Sequence, residues 1–275
     1  INNYEIAFIY FNDLVFYECD KGIIVEYNRN DFGGYGHLLV EIFPILVYLS
    51  IKLPLILSLK GLNYQKELFK SFASIYSINI IEDSDSLNGS LISSSKVAKK
   101  YSLNIASEFS KYEYPNYNNV CLMKDYLRID SDQKVVERNY IYIARKESTS
   151  SGRKLENEEE LLSHLIKLGF EIVYPEEYSF EEQVSIFYNA KIIIGASGSA
   201  LQNGIFCKLQ ANIIELVPDK DFRPGVWFSS IMSDNRYHFF IGPSKGKVID
   251  LKPERFSIEI SPVIETILKI INSEK

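Results

Sequence analysis

The segment Gly195-Ala196-Ser197-Gly198-Ser199-Ala200-Leu201-Gln202-Asn203 follows the apolar run Lys191 to Ile194 and reads as a turn from a strand into a helix starting near Ser199. A helix start presents free backbone N–H groups and the positive end of the helix dipole, so phosphate is the natural guest. A glycine turn is also simply how a strand is joined to a helix. Two sharper motifs nearly match and fail. The dinucleotide fingerprint G-x-G-x-x-G needs Gly where Ser197 stands and belongs in the first strand–helix unit of a sheet, and the elbow G-x-S-x-G needs Gly where Ser199 stands. Arg145 directly follows the apolar strand Tyr140 to Ala144, and Arg153 follows across Ser-Thr-Ser-Ser-Gly. Two fixed cations beside an anion site suit a diphosphate, and the plainer alternative is two solvated loop arginines. Glu215, near the end of the run Asn212 to Leu216, could accept hydrogen bonds from a ribose diol or be only an acid at a strand end.

In the first half, His37 and Glu41 are four residues apart just after Gly33-Gly34-Tyr35-Gly36, so on a helix they share one face. A base and its orienting acid can be built this way, and so can a structural pair at a helix terminus. His164 and His238 read as structural, and no H-x-x-H or H-E-x-x-H spacing points to a transition metal. Cys19, Cys121 and Cys207 form no C-x-x-C pair and fit buried thiols in a reducing compartment.

The elements that must position these residues are clearest from Asn139 onward. The strand Tyr140 to Ala144 leads to a helix over Asn157 to Leu168, with the capping spacing Asn157-x-x-Glu160 and Gly169 at its end. The strand Phe170 to Tyr174 follows, then a helix opened by Ser179-x-x-Glu182, the strand Lys191 to Ile194, the glycine turn, a third helix and the strand Asn212 to Leu216. This β-α-β-α-β-α-β order predicts a parallel sheet covered on both faces, with ligands at the carboxyl ends of the strands. A terminal amphipathic helix covers Ser261 to Asn272. Earlier in the chain, Ile6 to Tyr10 and Ile23 to Tyr27 read as strands and His37 to about Ser50 as a helix. The apolar stretch Ile42 to Leu59 is interrupted by Pro44, Lys52 and Pro54, which favours a buried helix followed by a strand over a membrane span. The polar stretches Ser84 to Ser95 and Ser107 to Asn119 read as loops leading to a linker at Ser131-Asp132-Gln133. The expected organisation is a domain over 1–132, a second over 133–260 and a terminal helix over 261–275.

With 275 residues, 46% of them hydrophobic, the chain can bury a full core. Thirty basic against 36 acidic residues give a net charge of −6 with the signs interleaved, so no basic face is available and nucleic acid is not an expected partner. No charged-then-apolar leader is visible after Ile1, where a removed segment would leave the true N-terminus open.

Taken together, Ala144-Arg145, Arg153-Lys154-Leu155-Glu156-Asn157-Glu158, Gly169-Phe170-Glu171-Ile172-Val173, Glu182-Gln183, Asn189-Ala190, Gly195 to Asn203 and Ile214-Glu215-Leu216 resemble glycosyltransferase family 61. That family carries an R…R-x-x-x-N-E stretch, a G-F-x-V-V-x-P-E strand and turn, a helix with E-Q, and G-x-H-G-A-x-L-x-N ahead of V-I-E-L. The stretch Gly34-Tyr35-Gly36-His37-Leu38-Leu39-Val40-Glu41-Ile42-Phe43-Pro44 resembles the family's N-Y-G-H-x-L-x-E-x-x-P. The departures are Ser197, where the family usually places His, and Gly34, where it usually places Asn.

The resemblance implies an α/β fold of the GT-B type, two doubly wound, Rossmann-like domains facing a cleft, with the terminal helix crossing back to the first. It implies inverting transfer of a sugar from a nucleotide-sugar, the co-substrate, to a glycan or lipid-linked glycan, with no metal or other cofactor. His37 would be the base, with Glu41 orienting it or serving instead. The donor would be held by Arg145, Arg153, Asn157, Ser197, Gly198, Ser199, Asn203 and Glu215. Composition rich in Ile, Asn, Lys and Ser associates such an enzyme with bacterial capsule or lipopolysaccharide assembly, in the cytoplasm or peripherally at the inner face of the plasma membrane. Alternatives of other classes are a catalytically silent nucleotide-sugar or glycan-binding protein and a GT-B-like sugar-nucleotide epimerase.

Overall fold

A computed structural model of the chain describes residues 14–19, 22–27, 35–37, 39, 43–52, 55–59, 63–76, 78–81, 97–103, 120, 123–125, 140–146, 153–207, 210–249 and 252–273. The expected strand Ile6 to Tyr10, the polar stretches at 84–95 and 107–119, the linker at 131–133 and Glu41 lie outside these residues. The chain divides into two compact units, Ile1–Ile129 and Asp130–Lys275.

The first unit is built on strands β1 (Leu14–Cys19), β2 (Gly22–Tyr27), β3 (Leu55–Leu59), β4 (Asn79–Ile81) and β5 (Val97–Leu103), with helices α1 (Tyr35–His37), α2 (Phe43–Lys52) and α3 (Asn63–Tyr76). The sheet order is β4-β3-β2-β1-β5, parallel from β4 to β2 and antiparallel at β1. Parallel pairing in this half thus covers β4, β3 and β2, and β1 and β5 add antiparallel pairings beside them. Only two residues separate β1 from β2, and a parallel crossover needs a dozen or more, so the pair closes as a hairpin. The apolar stretch after Ile42 divides as its prolines dictate, into α2 with Pro44 in its first turn and β3 beginning just after Pro54. Phe43 of α2 stacks on Phe72 of α3 with centroids 3.8 Å apart and meets Phe69 edge-on at 5.4 Å, which fixes the two helices against each other. Among the described residues no helix is long and apolar enough to cross a membrane.

The second unit contains β6 (Tyr140–Ile143), β7 (Lys154–Leu155), α4 (Glu158–Lys167), β8 (Glu171–Val173), α5 (Phe180–Tyr188), β9 (Ile192–Ala196), a 3-10 helix (Ser199–Phe206) and β10 (Asn212–Pro218). After these come α6 (Gly225–Met232), β11 (Arg236–Gly242), β12 (Ser244–Ile249), β13 (Lys252–Phe256) and α7 (Ile260–Ser273). Its main sheet is parallel throughout in the order β11-β10-β9-β6-β8, while β12, β13 and β7 form a small separate sheet. Counted along the chain, the main sheet has the doubly wound order 2-1-3-4-5, and its direction of winding reverses between β6 and β9.

Side-chain alternation gives this sheet two buried faces. On one, Tyr142, Ile194, Ile214 and Leu216 pack with Leu161 and Leu165 of α4 and with Val263, Ile267 and Ile270 of α7. The terminal helix expected to return to the first unit therefore buries its apolar stripe in the second. The opposite face carries Ile143, Ile193 and Ile213, and the 3-10 helix lies on it so closely that a Cβ on Gly204 would stand 2.9 Å from Ile213 Cδ1.

The caps separate two similar sequence signals. Ser179 forms a complete capping box with Glu182, its hydroxyl accepting from the Glu182 amide at 3.3 Å and its own amide donating to the Glu182 carboxylate at 2.7 Å. Asn157 makes no side-chain cap. Its side chain instead donates to the Ile258 carbonyl at 2.9 Å and accepts from the Ile258 amide at 3.2 Å, tying the approach to α7 onto the start of α4.

Candidate anion site

Parallel register places Ile143, Gly195 and Glu215 in one row across β6, β9 and β10. Beyond that row the strands end, and Arg145 and Ser197 follow β6 and β9, the two strands that flank the winding reversal. In an open parallel sheet this is where adjacent loops diverge and leave room for a ligand.

The two arginines meet there on one backbone oxygen. Arg145 Nη2 donates to the Ser197 carbonyl at 2.5 Å and, more weakly, to that of Ala196 at 3.4 Å, while Arg153 Nη1 donates to the same Ser197 carbonyl at 2.9 Å. Gly198 makes this approach possible, since a Cβ there would stand 2.0 Å from Arg145 Nη2. Arg153 is buried and has a left-handed backbone, φ 62°, which an arginine adopts only when its surroundings hold it. The holding group is Asp221, whose carboxylate takes Arg153 Nε at 2.5 Å and Arg223 Nε at 2.8 Å.

The charges do not balance locally. Arg153 is paired with Asp221, but Arg145 has no carboxylate at ion-pair distance among the described residues and is held by carbonyls alone. Burial lowers the pKa of the Arg145 guanidinium, and the neighbouring Arg153 charge lowers it further. A half-buried guanidinium with no ion-paired carboxylate and with N–H groups left over suits an anion as its partner. The first amides of the 3-10 helix, at Ser199 and Ala200, have no acceptor within the helix and add two more donors at the same turn.

Behind the turn lies a carboxylate. Glu215 is 0% exposed, accepts from the Tyr237 hydroxyl at 2.5 Å through Oε2, and leaves Oε1 without a hydrogen bond. Burial raises its pKa, opposed by the Ser197 and Tyr237 hydroxyls and the Arg153 and Arg145 charges. Tyr237 is pushed up in turn, by burial and then by Glu215.

The sequence-derived site residues thus part into groups. Arg145, Arg153 and Gly198 come together, and exposed Ser199 lies beside them. Ser197 is buried with its amide spent on the Leu216 carbonyl, so its contribution to the turn is the carbonyl that gathers the arginines. Glu215, Asn203 and Asn157, also expected to hold the donor, are engaged within the protein. Glu215 is sealed from solvent and faces the turn from beneath. Asn203 is fully buried and donates to Gln183 Oε1 at 3.1 Å, bracing the 3-10 helix against α5. Asn157 is occupied by Ile258. His37 ends the single turn α1 in the first unit. Asp221 and Tyr237 were missed, one an acid in the mixed-charge loop Asp219 to Arg223 and the other an aromatic in a strand, and neither belongs to a spacing that marks it. Among the described residues no group of three His, Cys, Asp or Glu side chains could hold a metal ion.

A parallel sheet in the order 2-1-3-4-5 with helices on its faces defines a class, the doubly wound α/β domains. The family model described as Glycosyltransferase 61 matches residues 35–214, reaching from α1 to the middle of β10. The chain belongs to glycosyltransferase family 61, and it is a glycosyltransferase acting on a sugar donor and an acceptor. No curated protein gives a match to it.

Proposed function

We propose that this chain is an inverting, metal-independent transferase of the GT-B arrangement that moves a sugar from a nucleoside-diphosphate sugar to a glycan or lipid-linked glycan. Its setting is bacterial surface polysaccharide assembly, capsule or lipopolysaccharide, in the cytoplasm or at the inner face of the plasma membrane. The observation that carries the reading is the convergence of Arg145 and Arg153 on the Ser197 carbonyl, with Arg145 unmatched by a carboxylate among the described residues. A diphosphate supplies the missing negative charge.

In the proposed reaction an acceptor hydroxyl attacks the anomeric carbon while the bond to the diphosphate oxygen breaks on the opposite side. Arg145, Arg153 and the amides of Ser199 and Ala200 stabilise the charge that develops on the departing diphosphate, and because they are fixed before the reaction they need little reorganisation. The hydroxyl proton goes to His37, oriented by Glu41, or to Glu41 itself. The guanidinium groups of Arg145 and Arg153 do here what a divalent cation does elsewhere.

Calorimetry with UDP, GDP, CDP and ADP tests the reading. At least one should bind, and Arg145→Ala should weaken it by about 1.5 to 3 kcal/mol, the worth of a hydrogen bond to a charged group. A wild-type protein that binds none of them overturns the proposal. Transfer activity should persist in EDTA, and activity lost to EDTA and restored by Mn²⁺ would overturn metal independence.

A further inference from the structure

β11 is the edge strand of the main parallel sheet, and its exposed side chains are Arg236, Phe239 and Ile241. Phe239 is 50% exposed, and Phe222, in the loop after β10, is 55% exposed. Their rings stand 6.5 Å apart, and Phe239 also stacks on Tyr237 at 6.0 Å with an interplanar angle of 21°. Folding has covered the rings of Phe187, Phe206 and Phe256, whereas this pair stands open together, in contact with each other.

The exposed pair is continuous with the anion site through two covalent and register links. Phe222 is the chain neighbour of Asp221, the carboxylate that holds Arg153. Phe239 stands opposite Glu215 in the β10–β11 register, on the face of the sheet where Tyr237 reaches Glu215 beneath the Ser197 turn. Arg223, the chain neighbour of Phe222, is held at the other oxygen of Asp221. The loop Asp219 to Arg223 holds two acids and two bases, so it lacks the basic excess that an anionic lipid surface selects.

We infer that Phe222 and Phe239 form the stacking platform for the donor's nucleobase, which extends outward from a diphosphate held at Arg145 and Arg153. This rests on the nucleotide-sugar reading above. A base offers a π-face to either ring, and the ribose spans the interval between the charged and aromatic parts. The platform itself reads no base identity; that falls to polar groups such as Arg223 at its edge.

The test compares ligands with and without a base. The tightest binder among UDP, GDP, CDP and ADP, and inorganic pyrophosphate, are titrated into the wild-type protein and into Phe222→Ala, Phe239→Ala and Phe222→Trp. Each alanine variant should weaken the nucleoside diphosphate by about fivefold to a hundredfold and leave pyrophosphate within about twofold, while Phe222→Trp retains the affinity. Because both rings are already half in solvent, melting temperatures should stay near wild type. Nucleoside diphosphate affinity unchanged in both alanine variants overturns the platform while leaving the anion site standing. Loss by either alanine variant of self-association or of binding to phosphatidylglycerol vesicles, with nucleotide affinity intact, overturns it in favour of another occupant. A wild-type protein that binds neither nucleotides nor pyrophosphate defeats the underlying reading instead.

Discussion

Replacing Gly198 by alanine adds one methyl group at the point where Arg145 passes the turn. The new Cβ would lie 2.0 Å from Arg145 Nη2 and 3.1 Å from its Cζ, so the guanidinium must move away by more than an ångström before ordinary contact is restored. Gly198 has an extended backbone, φ 171°, which alanine adopts without strain, and the obstructing atom is the end of a long flexible side chain. The fold should therefore yield locally. Arg145 loses its bond to the Ser197 carbonyl, and nucleoside diphosphate affinity should fall by about 1.5 to 3 kcal/mol, while unfolding stability changes by about 1 kcal/mol because the displaced cation reaches water. Calorimetry and urea unfolding measure the two quantities. Combining Gly198→Ala with Arg145→Ala supplies the decisive comparison. With the guanidinium gone the methyl has nothing to displace, so the double variant should bind nucleotide as Arg145→Ala does alone. Additive losses in the double variant would refute the claim that Gly198 acts by making room for Arg145.

Asp221→Ala leaves the buried Arg153 guanidinium without its counter-charge and should reduce stability by about 3 to 5 kcal/mol in urea unfolding; a loss under about 1 kcal/mol would mean that water takes over the carboxylate's place. Glu215 titrates above its ordinary value near 4.5, so in the interval above that value the folded protein retains a proton the unfolded chain has released, and stability falls as pH rises through it. Glu215→Gln should abolish that slope while keeping an acceptor for Tyr237, and an unchanged pH profile of unfolding counts against burial as the cause. His37→Ala should lower kcat by about a hundredfold or more with nucleoside diphosphate affinity within about threefold of wild type, and comparison with Glu41→Gln assigns base and orienting acid; turnover left intact by His37→Ala would move the base elsewhere.

Much of the second unit was readable because each signal had one structural meaning. Isoleucine-rich runs such as Ile192 to Ile194 become buried parallel strands, Gly169 closes a helix with φ 85°, and Ser179-x-x-Glu182 caps the next. Arg145 and Ser197 could be placed at the ligand end because strand order alone puts them after β6 and β9. Asn157 and Asn203 show the limit of such reasoning. An amide in a motif has the same spacing whether it touches a ligand or braces a neighbouring element, and only the partners at Ile258 and Gln183 separate the cases. The helix after the glycine turn was expected without a type, and close contact of Gly204 with Ile213 accompanies the tighter 3-10 form observed. Asp221 was unreadable for a different reason. Its partner Arg153 is 68 residues away, and pairing across that interval is a property of the folded sheet.

Two guanidinium groups crowded around one carbonyl have a consequence for the lifetime of the protein as well as its chemistry. Like charges this close repel, and the Arg153 charge lowers Arg145's hold on its proton, so gathering the two at one carbonyl works against folding. A diphosphate bound as proposed would relieve that repulsion and add stability that grows with the logarithm of its concentration above Kd. The ligand-free protein would then be the weakest form in the working cycle, the one most open to unfolding and proteolysis. Supply of donor would govern how long the catalyst survives as well as how fast it turns over, and mutations that quiet the repulsion would yield a sturdier protein with a poorer grip on its substrate.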